Sequence, residues 1–142
     1  MATAARQIIA FDFGLRQIGV ATGSEASQIS SELSILQAKE GIPDWQAVAT
    51  LFAEWQPDIC IVGLPLNMDG SESALSQRAR KFANRLNGRF GMEAILVDER
   101  LTSVEAKHIA REQGRSSDYK KSPVDALAAK LLIDQWFQQQ TN

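Results

Sequence analysis

Gln7-Ile-Ile-Ala-Phe-Asp-Phe13, Gly14-Leu-Arg16, Gln17-Ile-Gly-Val-Ala-Thr-Gly23 is the stretch that decides the fold. Its first segment is almost continuously apolar, as expected of a strand covered on both faces. Gly14-Leu15-Arg16 reads as a turn, and Gln17 to Gly23 as an antiparallel partner. Alternation sends Ile8, Ala10 and Asp12 to one face, and Ile9, Phe11 and Phe13 to the other. Ile29 to Leu36 is the expected third strand.

Beyond that stretch the pattern changes to helix and strand in alternation. Trp45, Val48, Phe52 and Trp55 make one apolar stripe on a helix from Asp44, its N-cap, to Gln56, before Pro57. Asp58 to Gly63 predicts a short buried strand. Leu75, Ala79, Phe82 and Leu86 mark a helix over Glu72 to Asn87, closed by Gly88. Ala94 to Val97 predicts a further strand. Thr102 and Glu105 have capping-box spacing for a helix over Ser103 to Gln113. Ser122, Pro123 and Asp125 start a last helix carrying Val124, Leu127, Ala128, Leu131 and Leu132. The expected architecture is α/β: a five-stranded mixed sheet flanked by helices on both faces, one domain over residues 1–142.

Composition narrows the function classes. The chain has 142 residues, 44% of them hydrophobic and 23% charged, enough to bury a core without disulfides. A formal net charge of −2 means that any nucleic-acid site is a local patch. The longest apolar run, Ile59 to Leu66, is too short to span a bilayer. The single cysteine, Cys60, excludes an internal disulfide, and with no basic-then-apolar leader the expected location is cytoplasmic.

Three acidic positions stand out. Asp12, on a central strand, is costly to bury without a cation or hydrogen-bond donors; the other reading has it accepting from the amides of Gly14 to Arg16. Asp98 and Glu99 follow a strand, where sites collect in α/β folds, and alternation sends them to opposite faces. One serves a site while the other pairs with Arg100 or caps the next helix. Asp125 lies in the first turn of the last helix, where the cap and the helix dipole alone account for an acid. Convergence of the three would suit hard cations such as Mg2+ or Mn2+. Cys60 lies in an apolar strand and reads as core. His108, the only histidine, reads as a helix-surface residue.

The loop Val62-Gly-Leu-Pro-Leu-Asn-Met-Asp-Gly-Ser71 either lines a site, with Asn67 touching phosphate, or is an ordinary connection capped by Ser71. Arg78, Lys81, Arg85 and Arg89 form one basic stripe, either a solvated face or a phosphate track.

These motifs together resemble the YqgF family, also called RuvX. They are Phe11-Asp-Phe-Gly, Ile18-Gly-Val-Ala, Val62-Gly-Leu-Pro-Leu-Asn-Met-Asp-Gly-Ser-Glu-Ser, Asp98-Glu-Arg-Leu-Thr-Ser and Val124-Asp-Ala-Leu-Ala-Ala. The resemblance implies an RNase H-like fold and a cytoplasmic nuclease, described both as a Holliday junction resolvase and as a nuclease maturing the 5′ end of pre-16S rRNA. It implies catalytic and metal-binding roles for Asp12, the Asp98–Glu99 pair and Asp125, with Glu99 favoured because related resolvases place a glutamate after this strand. Expected substrate contacts are Asn67, Arg78, Lys81, Arg85 and Arg100. Gln17 departs from the family, which usually carries a basic residue there; Arg16 stands one place earlier. The expected partner is nucleic acid, an rRNA precursor before a DNA junction, together with the ribosome or its precursors, for a monomer or weak dimer. Two rivals stand beside this reading. One is an ATP-binding module, since Asp12-Phe-Gly and its hairpin also resemble the phosphate-binding hairpin of actin-like ATPases. The other is a non-catalytic rRNA binder.

Overall fold

The computed structural model describes residues 5–99, 108–109 and 125–140. Strand β1, Gln7–Asp12, is buried over all its apolar residues. The chain then reverses at Gly14, where a Cβ would lie 2.5 Å from the carbonyl oxygen of Gln17, so only glycine fits. β2, Gln17–Ser24, pairs antiparallel with β1, setting Asp12 opposite Gly19. β3, Ile29–Lys39, pairs antiparallel with β2 through an irregularity at Val20 and Ala21.

β3 runs past the expected Leu36 because it continues into a hairpin. Glu40 and Gly41 both have positive φ, 52° and 82°, the two-residue turn that returns the chain as β4, Ile42–Pro43. The sheet therefore has six strands, not five. A two-residue strand has no period to read, and only the Glu-Gly pair signals it.

Helix α1, Trp45–Trp55, is capped as expected. Asp44 accepts from the N–H of Gln46, and Gln56 closes the helix in the left-handed region. β5, Ile59–Leu64, is buried throughout and parallel to β1. α2, Ala74–Phe90, leads to β6, Ala94–Asp98, parallel to β5. Two expected bounds of α2 are corrected. Its N-cap is Ser73, which forms a capping box with Ser76, rather than Ser71. Its end is Gly91, φ 65°, rather than Gly88.

The last helix, here α3, spans Asp125–Gln140. His108 and Ile109 are helical and His108 is exposed, as expected; the rest of the helix predicted over Ser103 to Gln113, and Ser122 to Val124, lie outside the described residues.

The strand order is β4-β3-β2-β1-β5-β6. Alternation on the central strands builds two cores. Ile9, Phe11, Phe13, Val20, Cys60 and Val62 pack with Val48 of α1 and with Ala79, Phe82 and Leu86 of α2. Ile8, Ala10, Ala21, Ile59, Ile61 and Val97 pack with Ala129, Leu132, Ile133, Trp136 and Phe137 of α3. The sheet is thus covered on both faces. Cys60 is buried as expected, and burial pushes its thiol pKa up. Among the described residues, no helix is long and apolar enough to cross a membrane.

Candidate functional site

Asp12 is the last residue of β1 and is half-buried. Alternation after Ile8 and Ala10 places it on the α3 face of the sheet. Its partner on β2 is Gly19, and the Phe11–Val62 pairing brings Gly63 of β5 alongside on the other side. The carboxylate therefore rises between two positions without side chains.

Glu99 fills part of that space. Its N–H donates to the carbonyl of Leu64 at 3.3 Å, extending the β5–β6 ladder by one residue. This fixes the alternation: Val97 joins the α3-face core, Asp98 is exposed on the opposite side, and Glu99 returns to the α3 face. Its side chain lies across Gly63, where a Cβ would meet Glu99 Oε2 at 2.5 Å and Leu132 Cδ1 at 3.0 Å. Glu99 Oε2 is itself buried. Of the two adjacent acids, Glu99 is the one on Asp12's face.

Gly63 is the residue that sequence reasoning missed. A glycine in an otherwise wholly apolar strand marks a close approach, and that was the signal available.

Asp125 is the first residue of α3, at the head of the stripe that continues through Ala129, Leu132, Ile133 and Trp136. Leu132 packs by Gly63, whereas Ile133 and Phe137 pack by Gly23 near the far end of β2. α3 thus starts on the side where β1 and β5 end. The Asp125 side chain and all of Arg100 lie outside the described residues. Among the described residues, no three His, Cys, Asp or Glu side chains form a metal-binding group. The fit to a cation rests on the all-oxygen donors and on the cradle at Gly63, which a Cβ would fill.

The other expected contacts fall elsewhere. Asn67 Nδ2 donates to Ser71 Oγ at 3.0 Å, so this amide serves its own turn. Arg78, Lys81 and Arg85 line a groove of about 240 Å³ with Glu40, Gly41 and Ile42, floored by Phe82. Arg78 Nη1 donates to the carbonyl of Glu40 at 2.8 Å. Arg89 departs from the stripe and stacks over Trp45, 4.5 Å from the ring centroid. Because α2 packs opposite α3, the groove and the Asp12–Glu99 pair occupy opposite faces of the sheet. They share an edge region, since a Cβ on Gly41 would lie 2.6 Å from the ring of Phe13, the residue after β1.

The family model described as "RuvX: Holliday junction resolvase" matches residues 6–139. A Chromohalobacter salexigens protein named "Putative pre-16S rRNA nuclease" is 52% identical over 136 residues, covering 96% of this chain and 92% of its own. A protein of the same name from Pectobacterium carotovorum subsp. carotovorum is 53% identical over 135 residues, covering 95% and 97%. Among solved structures, T. thermophilus RuvC in complex with Holliday junction substrate aligns with a TM-score of 0.56 at 11% identity, covering 96% of both chains. A Fowlpox virus resolvase with substrate Holliday junction DNA aligns at 0.54 and 12% identity, covering 96% of this chain and 99% of that one. At such identities the likeness is one of fold, and the fold is RNase H-like.

Proposed function

This chain belongs to the RuvX family, and on that premise we propose that it hydrolyses phosphodiester bonds in structured nucleic acid, an rRNA precursor in preference to a DNA junction. The observation that carries this reading is the Glu99 carboxylate laid across Gly63 on Asp12's face, where β1 and β5 end and α3 begins.

Asp12, Glu99 and Asp125 would hold Mg2+ or Mn2+, hard cations suited to carboxylate oxygens. Bound there, such ions stabilise the attacking and leaving oxygens of phosphodiester cleavage. The chain's own part is to fix the carboxylates. β1 holds Asp12 in the sheet, and the Leu64–Glu99 backbone bond sets the direction of Glu99. The helix start carries Asp125. Arg78, Lys81 and Arg85 grip backbone phosphates on the far face, and Arg100, next to Glu99 in the sequence, is a further candidate contact. Trimming one end of an rRNA needs a single copy, so a monomer or weak dimer in the cytoplasm suffices; paired cuts in a junction would need two copies.

The test is cleavage of labelled rRNA precursor and of a four-way DNA junction side by side, with and without Mg2+ or Mn2+. The expected result is metal-dependent cutting of the RNA. Glu99→Gln should lose more than the roughly 10- to 100-fold typical of outer-shell changes, while Asp98→Asn stays near wild type. Paired symmetric cuts in the junction alone would favour the resolvase reading. Binding without cleavage, unchanged by Asp12→Asn, would leave an rRNA binder in its place.

A further inference from the structure

The loop after β5 carries the longest motif in the chain, and its one expected contact, Asn67, is exposed with its amide nitrogen bonded to Ser71 Oγ of the same turn. What the loop displays is Met68. At 77% exposure it is the most exposed large apolar residue among those described, ahead of Ile29 at 64%. The turn beneath it is braced throughout. Asn67 N–H donates to Ser71 O at 2.9 Å, Gly70 N–H to Asn67 O at 2.8 Å, and Ser71 N–H to Asp69 Oδ1 at 2.9 Å. Leu66 and Glu72 form a bridge, Glu72 is tied to Arg80 at 2.7 Å, and Ser76 Oγ donates to the carbonyl of Pro65. Gly70, φ 89°, closes the turn in a conformation that side-chain residues rarely adopt. Such bracing fixes the direction of an apolar tip that water does not favour.

The position of the tip is as telling as its exposure. The loop leaves β5 directly after Leu64, whose carbonyl receives the Glu99 N–H. Residues 67–72 carry no lysine or arginine, and Glu72 is neutralised by its pair with Arg80. The tip therefore offers phosphates no cation of its own, and the basic groove suited to them is on α2. A thioether presented this way meets a nucleobase face, because methionine is polarizable and packs on π-systems.

The geometry points to Met68 as a specificity-determining wedge that packs against a base at the boundary between paired and unpaired nucleic acid. This rests on the nucleic-acid reading above and adds the substrate class, a branched or frayed helix. A base in a continuous duplex has both faces stacked, so only a boundary offers the wedge a face at low cost.

The test uses an RNA hairpin with a single-stranded tail and 2-aminopurine at its last stem pair, with the same pair placed inside a long continuous duplex as control, in EDTA so that nothing is cut. Wild type and Met68→Leu should raise the fluorescence on binding. Met68→Gln and Met68→Ala should give a much smaller rise and bind the tailed hairpin roughly two- to tenfold more weakly, with affinity for the continuous duplex unchanged. Unaltered melting temperatures show that the variants fold. A full rise with Met68→Gln, or equal losses on both RNAs, overturns the wedge. Failure of cleavage in Mg2+ with the fluorescence pattern intact overturns the nuclease reading and keeps the wedge. Failure of wild type to bind either RNA overturns both.

Discussion

Gly63 and Glu99 show how one missing side chain defines a site. Gly63→Ala would place a Cβ 2.5 Å from Glu99 Oε2 and 3.0 Å from Leu132 Cδ1. The carboxylate is the end of a flexible side chain and swings away, so the variant should fold with a loss of about 1–3 kcal/mol. Its melting temperature should then gain little from Mg2+, while wild type gains clearly. A Mg2+ response equal to wild type would remove Glu99 from the cation site. A second residue-scale pair lies at the far end of the sheet, where Arg6 Nε and Nη2 donate to the two oxygens of Glu25 at 2.9 and 3.0 Å. The guanidinium holds the Glu25 carboxyl below its ordinary value of 4.5. A depressed native pKa stabilises the fold above the unfolded pKa, and that contribution is lost as pH falls through the native one. Glu25→Gln should therefore cost stability at neutral pH, and the gap from wild type in denaturant melts should close progressively as pH falls below the ordinary carboxyl value of 4.5. A gap that persists there would mean that the residue acts by packing.

The helices show what spacing can and cannot tell. Asp44 and Pro57 marked both ends of α1 correctly, because a cap and a helix breaker act through their immediate neighbours. Gly88 was expected to end α2, yet the helix runs on to Phe90. A solvent-facing glycine in a helix costs only about 1 kcal/mol. The packing of Phe90 edge-on to Phe52, centroids 5.0 Å apart, outweighs it. The basic stripe of α2 was legible from its spacing, but the β3–β4 turn opposite it was not. That groove gives an element-scale prediction. Reversing Arg78, Lys81 and Arg85 to Glu should weaken nucleic-acid binding and lower the log–log salt slope by roughly 2–3 units. Titrations at several salt concentrations would show an unchanged slope if the groove is merely a solvated face.

Only the whole molecule brings Glu99 to the face that carries Asp12, since β1 and the end of β6 are distant in the chain; the proposed site adds Asp125 from the start of α3. Converged carboxylates repel one another without a cation, by up to about 4 kcal/mol at 4 Å and an effective dielectric near 20. Asp12→Asn removes part of that repulsion at nearly constant shape. In EDTA it should melt no lower than wild type. Saturating Mg2+ should stabilise wild type, by about 2.7 kcal/mol at a hundredfold excess over Kd, and the variant much less. If the variant melts well below wild type in EDTA and Mg2+ shifts both equally, Asp12 is a structural acceptor and the cation site falls.

The alternation of apolar residues from Gln7 to Gly23, the capped stripe of α1 and the unbroken apolar run of β5 were readable directly, and with them the mixed sheet covered on both faces. These features depend on residues close in sequence, whose periodicity and capping are local properties. The Asp98–Glu99 pair could be narrowed to one acid per face, but which acid faced Asp12 depended on the register of β6 against β5 and on Gly63 beneath it. The sixth strand and the groove between Arg78 and the Glu40–Gly41 turn depended likewise on partners remote in sequence or on backbone angles that no periodicity encodes. Local preference sets which face a side chain takes; contact between distant strands decides what it meets there.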